Sequence, residues 1–246
     1  IARVLGRIRD PRAVHVLLPR LGTDTFELGM QILESLGQIG DPRGLRALLD
    51  HARVQDAAVQ AECVRGVGRV LALHPHLEAD VAGEAVRMYG SREEHVRRVA
   101  IDLVTFIAGD RYTAILQEAL RDPSPVVRQH AVTTLAVRLE ERAGTVLLPI
   151  LADENARVRR AVLKSLGAIL LRDQTDILLS AMLDSDLWVR VEAVTFLASH
   201  PDPEIVGTLL RAVVQEPVPV KVATLKGLAP PMVEKFADTV LATIYQ

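Results

Sequence analysis

The chain has 246 residues, 49% hydrophobic and only 3% aromatic, and 29 basic against 31 acidic side chains leave a net charge of −2. Hydrophobic content on this scale excludes disorder, and a core so poor in aromatics must be built from Leu, Val, Ala and Ile, which suit packed helices better than deep ligand pockets. The charge balance lacks the surplus of Lys and Arg that neutralises a nucleic-acid backbone, and no apolar run reaches the ~18 to 20 residues of a membrane span.

From the N-terminus, LGRIRDPRAV at 5–14 returns as LGQIGDPRGL at 36–45, a step of 31 residues. A catalytic loop has no reason to recur, whereas a unit that stacks on its own copy does. Because Leu5 corresponds to Leu36, the opening residues fall in the middle of a unit, and the chain is expected to be a segment of a longer protein. IARVLGRIRD lacks the pattern of a signal peptide, which makes the cytoplasm the default setting. A single cysteine, Cys63, excludes an internal disulfide framework and cannot by itself make a thiolate metal site.

Leu28, Ile32 and Leu36 are answered by Val59, Cys63 and Val67. The next step, from Val59 to Val96, is 37 residues, so six extra residues are expected as a longer turn within 68–90, near LHPHLEA. From Val96 the regular step resumes: VRRVAIDLV is followed by VRQHAVTTL at Val127, VRRAVLKSL at Val158, VRVEAVTFL at Val189 and VKVATLKGL at Val220. Apolar residues at i, i+4, i+5 and i+8 form the stripe of an amphipathic helix, not the alternation of a strand. Another apolar helix precedes each of these, as in RAVHVLLPRL (12–21), RAGTVLLPIL (142–151) and TDILLSAML (175–183). Each unit is therefore expected to hold two helices of about three turns. Pro11, Pro42, Pro123, Pro125, Pro201, Pro203, Pro217, Pro219 and Pro231 fall at helix starts or joints, whereas Pro19 and Pro149 fall inside first helices and should bend them.

This pattern, an Asp-Pro turn, Val-Arg, a small residue four after the Val and Leu eight after it, then Leu-Gly-x-Ile and Asp-x-Arg, resembles HEAT repeats of the short type found in phycobilin lyases. The resemblance covers nearly the whole chain. It implies an all-α fold, an α-α superhelix of about seven helical hairpins with the terminal ones incomplete, running as one solenoid over 1–246. It also implies that the second helix of each unit lines the concave face.

Arg97, Arg128, Arg159, Arg190 and Lys221 form a basic column, and Asp122, Asp153 and Asp184 keep the same beat. In similar repeats that arginine meets the turn aspartate of a neighbouring unit, so the column reads as a structural ladder rather than an anion-binding stripe. His74-Pro75-His76 is the closest histidine pair, but no third ligand is placed by spacing, so it reads as an exposed loop and no metal is expected. Deoxyhypusine hydroxylases resemble this chain in repeat style and carry iron on His-Glu dipeptides. No histidine here precedes Glu. Alkylpurine DNA glycosylases, a second enzyme class on such helices, need an aromatic, basic cleft, and Trp188 is the only tryptophan. No phosphate-binding glycine loop and no Ser, His and Asp set stands out from the repeat.

The reading is a non-catalytic scaffold or regulatory module without cofactor. It binds a protein segment, acidic or helical, or other domains of the same chain, and the alternative is a bilin-lyase-like or glycosylase-like enzyme. Counting from the Val of each Val-Arg pair, positions +2 and +6 of the second helix should face outward. These are Arg98 and Asp102, Gln129 and Thr133, Arg160 and Lys164, Val191 and Thr195, Val222 and Lys226. Arg98, Asp102, Gln129, Arg160, Lys164 and Lys226, with Trp188 as an anchor, are the candidate partner contacts.

Overall fold

The computed structural model describes residues 1–22, 25–108, 112–173, 175–200 and 202–245. Pro201, expected at a joint, lies outside these. Among the described residues there are helices and turns but no strand. The chain divides into two compact units, Ile1–Thr134 and Leu135–Gln246.

Unit 1 opens with α1 (Ala2–Ile8), alone in its register, followed by the hairpins α2 (Val14–Leu17) with α3 (Phe26–Ile39), α4 (Leu45–His51) with α5 (Ala57–Leu73), and α6 (Glu78–Tyr89) with α7 (Glu94–Val104). Next come α8 (Thr113–Ala119) and α9 (Pro125–Leu139), the helix in which the division falls. Unit 2 continues with α10 (Ala143–Leu147) and α11 (Ala156–Asp173), α12 (Thr175–Ala181) and α13 (Leu187–Ala198), and α14 (Pro203–Val213) and α15 (Val218–Gly227). It closes on α16 (Pro230–Lys235) and α17 (Ala237–Tyr245). The second helices of successive hairpins pack against one another, as α3 does on α5 and α13 on α15.

The repeated decapeptide is the hinge between hairpins. Gly40 ends α3 in the left-handed conformation, and Arg9 takes the same conformation after α1. Asp10 and Asp41 then each accept from a backbone N–H two residues on, at 2.9 Å, and Pro11 and Pro42 start a 3-10 turn where no N–H is needed. The arginine of each Asp-Pro-Arg folds back on its own aspartate, and Arg43 also donates to the Pro11 carbonyl at 2.7 Å, which ties one turn to the preceding one.

Of the first helices, α6 and α14 reach the expected three turns and the others are shorter. α4, α8 and α12 have 7 residues each, and α2 is a single turn flanked by 3-10 segments. Pro19 and Pro149 account for part of this, since each lies in a 3-10 segment that ends its α-helix. The longer turn expected within 68–90 is absent. His74 alone separates α5 from a 3-10 turn at Pro75–Leu77, and the extra residues lengthen α5 to 17 residues and α6 to 12. Nothing in Glu78–Tyr89 stops a helix before Gly90, so the insertion continued the hydrogen-bonding pattern instead of looping out.

The stripe at 0, +4, +5 and +8 is the core: Val127, Ala131, Val132 and Leu135 are fully buried, as are Val158, Val162, Leu163 and Leu166. Small residues let the second helices approach. A Cβ on Gly37 would lie 2.7 Å from the Gly66 backbone, and one on Gly227 would lie 2.6 Å from the Ala198 methyl. Gly167 meets the ring of Phe196 in the same way. Cys63 is fully buried in this core, and burial, helped by the neighbouring Glu62 charge, pushes its thiol up to about 12, which leaves it a structural thiol.

Candidate protein-interaction surface

Arg97 and Arg159 meet the turn aspartate of the next hairpin as the ladder expects, Arg190 meets Glu216 in its place, and these arginines are thereby withdrawn from ligand binding. Arg97 forks onto Asp122 with two bonds of 2.8 Å and also donates to the Ser91 and Arg92 carbonyls of its own turn. Arg159 repeats this on Asp184 at 2.8 and 2.7 Å and on the Asp153 and Glu154 carbonyls, while Arg190 reaches Glu216 at 3.0 Å. Arg128 donates to the Asp122 and Pro123 carbonyls. Each arginine thus closes its own turn and, where the bond reaches forward, joins the next hairpin. Burial opposes the Asp184 carboxylate, but the Arg159 fork and the Asp186 amide hold it below its ordinary value.

The +2 and +6 positions differ from one second helix to the next. In unit 1, Arg98 and Asp102 do not stand free as expected. Arg98 is half-buried and donates to Gln60, which is itself buried and bonded to the Val54 carbonyl, and Asp102 pairs with His130. Their reach is taken up because polar side chains of the adjoining second helices, Gln60 and His130, lie opposite them. Gln129 and Thr133 are exposed. Nearer the start, Phe26, Glu27, Met30, Glu34 and Glu62 border a shallow hollow of about 380 Å³ with Arg3.

In unit 2, Arg160, Lys164, Thr195, Val222 and Lys226 are exposed, with Val191 half-buried. Arg160 was expected as a free surface charge but is engaged. Its Nε donates to Glu192 at 3.1 Å, and its guanidinium lies 5.7 Å from the centre of the Trp188 ring. Trp188 is 51% exposed at the start of α13, where Asp186 caps its backbone N–H. Sequence reasoning placed Arg160 and Trp188 as neighbours but missed Glu192, whose only signal was its position one residue beyond the +2 column of the next helix. A cleft of about 450 Å³ lies elsewhere in this unit, walled by Leu148, Pro149, Ile177 and Ala181 with the Arg159–Asp184 pair. Both carboxylate and guanidinium there serve the ladder.

Among the described residues, no group of three or more His, Cys, Asp or Glu side chains could hold a metal ion, and no helix is long and apolar enough to cross a membrane. The His74 and His76 rings meet edge to face at 5.8 Å.

The model of the family described as HEAT repeats matches residues 1–68, 70–166, 110–198 and 144–229, and the chain belongs to that family. Among solved structures it is similar to importin beta, at 14% identity and a TM-score of 0.52, over 95% of this chain and 38% of that one. It is also similar to the CpcE–CpcF phycocyanin lyase of Nostoc, at 17% identity and TM-score 0.39, covering 92% and 87% of the two chains. Human deoxyhypusine hydroxylase gives 24% identity and TM-score 0.39, covering 80% and 76%. No curated protein matches the sequence.

Proposed function

We propose that the chain is a non-catalytic protein-interaction scaffold, one solenoid over 1–246, acting in the cytoplasm. It binds a protein segment, or another domain of its own chain, along the face lined by the second helices. The supporting observation is the contrast between neighbouring columns. The +1 arginines are spent on turns and carboxylates, while Gln129, Lys164 and Lys226 on the outward columns, with Trp188 at the mouth of α13, are exposed. Side chains that carry no part of the packing are the ones available to a partner. Arg98, Asp102 and Arg160 are already bonded and act by holding the shape of that face.

The test is photo-crosslinking in cells from a reactive residue placed at Gln129, Lys164 or Lys226, beside controls at Arg12 and Glu118 in or next to first helices. Protein adducts concentrated on the first set support the scaffold. Adducts from Arg12 and Glu118 alone, or none from any position, would overturn it.

A further inference from the structure

Building on the scaffold reading, we propose that unit 2 docks an acidic, amphipathic protein segment across α11, α13 and α15, seated against Trp188. The ring is not a loose surface residue: Arg160 lies over it, and Arg160 is in turn tethered to Glu192. Trp188 is therefore held open before any partner arrives, and Arg160 and Glu192 are positioning residues. An apolar strip continues from it. Val191 and Val222 occupy the register of Arg160 on the next two second helices, and Val218, 70% exposed, lies one turn before Val222. Three neighbouring second helices span roughly 20 Å, at about 10 Å between axes, which a helical segment of about 13 residues would cross.

Charge selects the sign of the occupant. Arg157, Lys164 and Lys226 are exposed and Lys221 half-exposed, and among the described residues none of the four pairs with a carboxylate, whereas Arg159 and Arg190 each hold one. Of the acids near the ring, Glu192 is neutralised by Arg160 and Asp186 caps the backbone N–H of Trp188 itself. The chain as a whole carries −2, so exposed cations without a carboxylate partner on α11 and α15 are what would favour an acidic occupant. A lone indole offers no succession of stacking platforms for a nucleic-acid strand, and an apolar strip rimmed by cations matches the two faces of an acidic amphipathic helix.

Because the chain has one tryptophan, its emission reports this site alone. Random 16-residue peptides displayed on phage are selected against the full chain and counter-selected on the Lys164→Glu, Lys226→Glu variant, whose folding is checked by its melting curve. The expected winners carry net negative charge and a large apolar residue, shift Trp188 emission to shorter wavelength, and bind the variant at least tenfold more weakly. Arg160→Ala should weaken them several-fold and alter the emission of the free protein. Winners that are neutral or basic, that ignore the charge reversal, or that fail to appear would sink the proposal. So would phosphatidylserine vesicles or a single-stranded oligonucleotide that shift the emission more tightly than any peptide. Crosslinks from Gln129 without peptide docking here would leave the scaffold reading intact and remove only this one.

Discussion

At one register position, Arg98 in unit 1 reaches a buried glutamine, while Arg160 in unit 2 is 46% exposed by side chain and lies against an exposed indole. One column and one residue type thus yield a closed patch around Arg98 and an open one around Arg160. The difference is made by what the adjoining second helix presents: Gln60, 3% exposed, in the first case and Trp188 with Glu192 in the second. Outward position in a repeat therefore does not by itself make a residue available. The neighbouring repeat decides it.

The largest effect that could break this comparison concerns whether the units are separate at all. Leu48 is fully buried in unit 1, and Leu48→Ala should cost about 2 to 5 kcal/mol. Amide exchange should speed up within 1–134 and stay unchanged in most of 135–246, because a repeat touches mainly its neighbours. Uniform acceleration along the chain would show a single cooperative block.

Next in size is the ladder. Arg159→Ala should lower stability by on the order of 1 to 3 kcal/mol, since it strands Asp184 and two turn carbonyls. The Asp184 carboxyl is held below its ordinary 3.8 in the fold, so its contribution is complete above that value and fades as pH falls through the lower folded one. Melting curves recorded from about pH 5 down to about pH 2 should fall more steeply for the parent than for Asp184→Asn. Parallel curves would mean the pair adds nothing.

The smallest effects sharpen the comparison most. Arg98→Ala leaves the buried Gln60 carbonyl without its donor and should cost about 1 to 2 kcal/mol. Lys164→Ala, at an exposed position of unit 2 with no ion-pair partner among the described residues, should change stability by less than about 0.5 kcal/mol. Equal losses in denaturant titrations of the two variants would erase the distinction between closed and open faces.

The helical pairs and the ladder were legible because the spacing of 31 recurs: Val-Arg at 96, 127, 158 and 189, an acid five residues before the last three, and an apolar stripe that only a helix satisfies. The insertion was misplaced because His74-Pro75-His76 has the composition of a loop, although a proline at the start of a 3-10 turn needs no extra length. The bonds of Arg98, Asp102 and Arg160 were illegible for another reason. They depend on how far one second helix is offset along the next, a quantity fixed by packing between helices and not by the period of either.

That offset has its own determinant in the contact of Gly37 with Gly66 and of Gly227 with Ala198. Two hydrogen atoms face each other in the first case and a methyl replaces one in the second, so the separation of adjacent helices is set locally by a single side-chain volume at each joint. Such a stack can change its pitch at one joint by one substitution without rewriting its core. The spacing of surface groups across that joint would change with it, so the outward face can be re-spaced from a residue that lies beneath it.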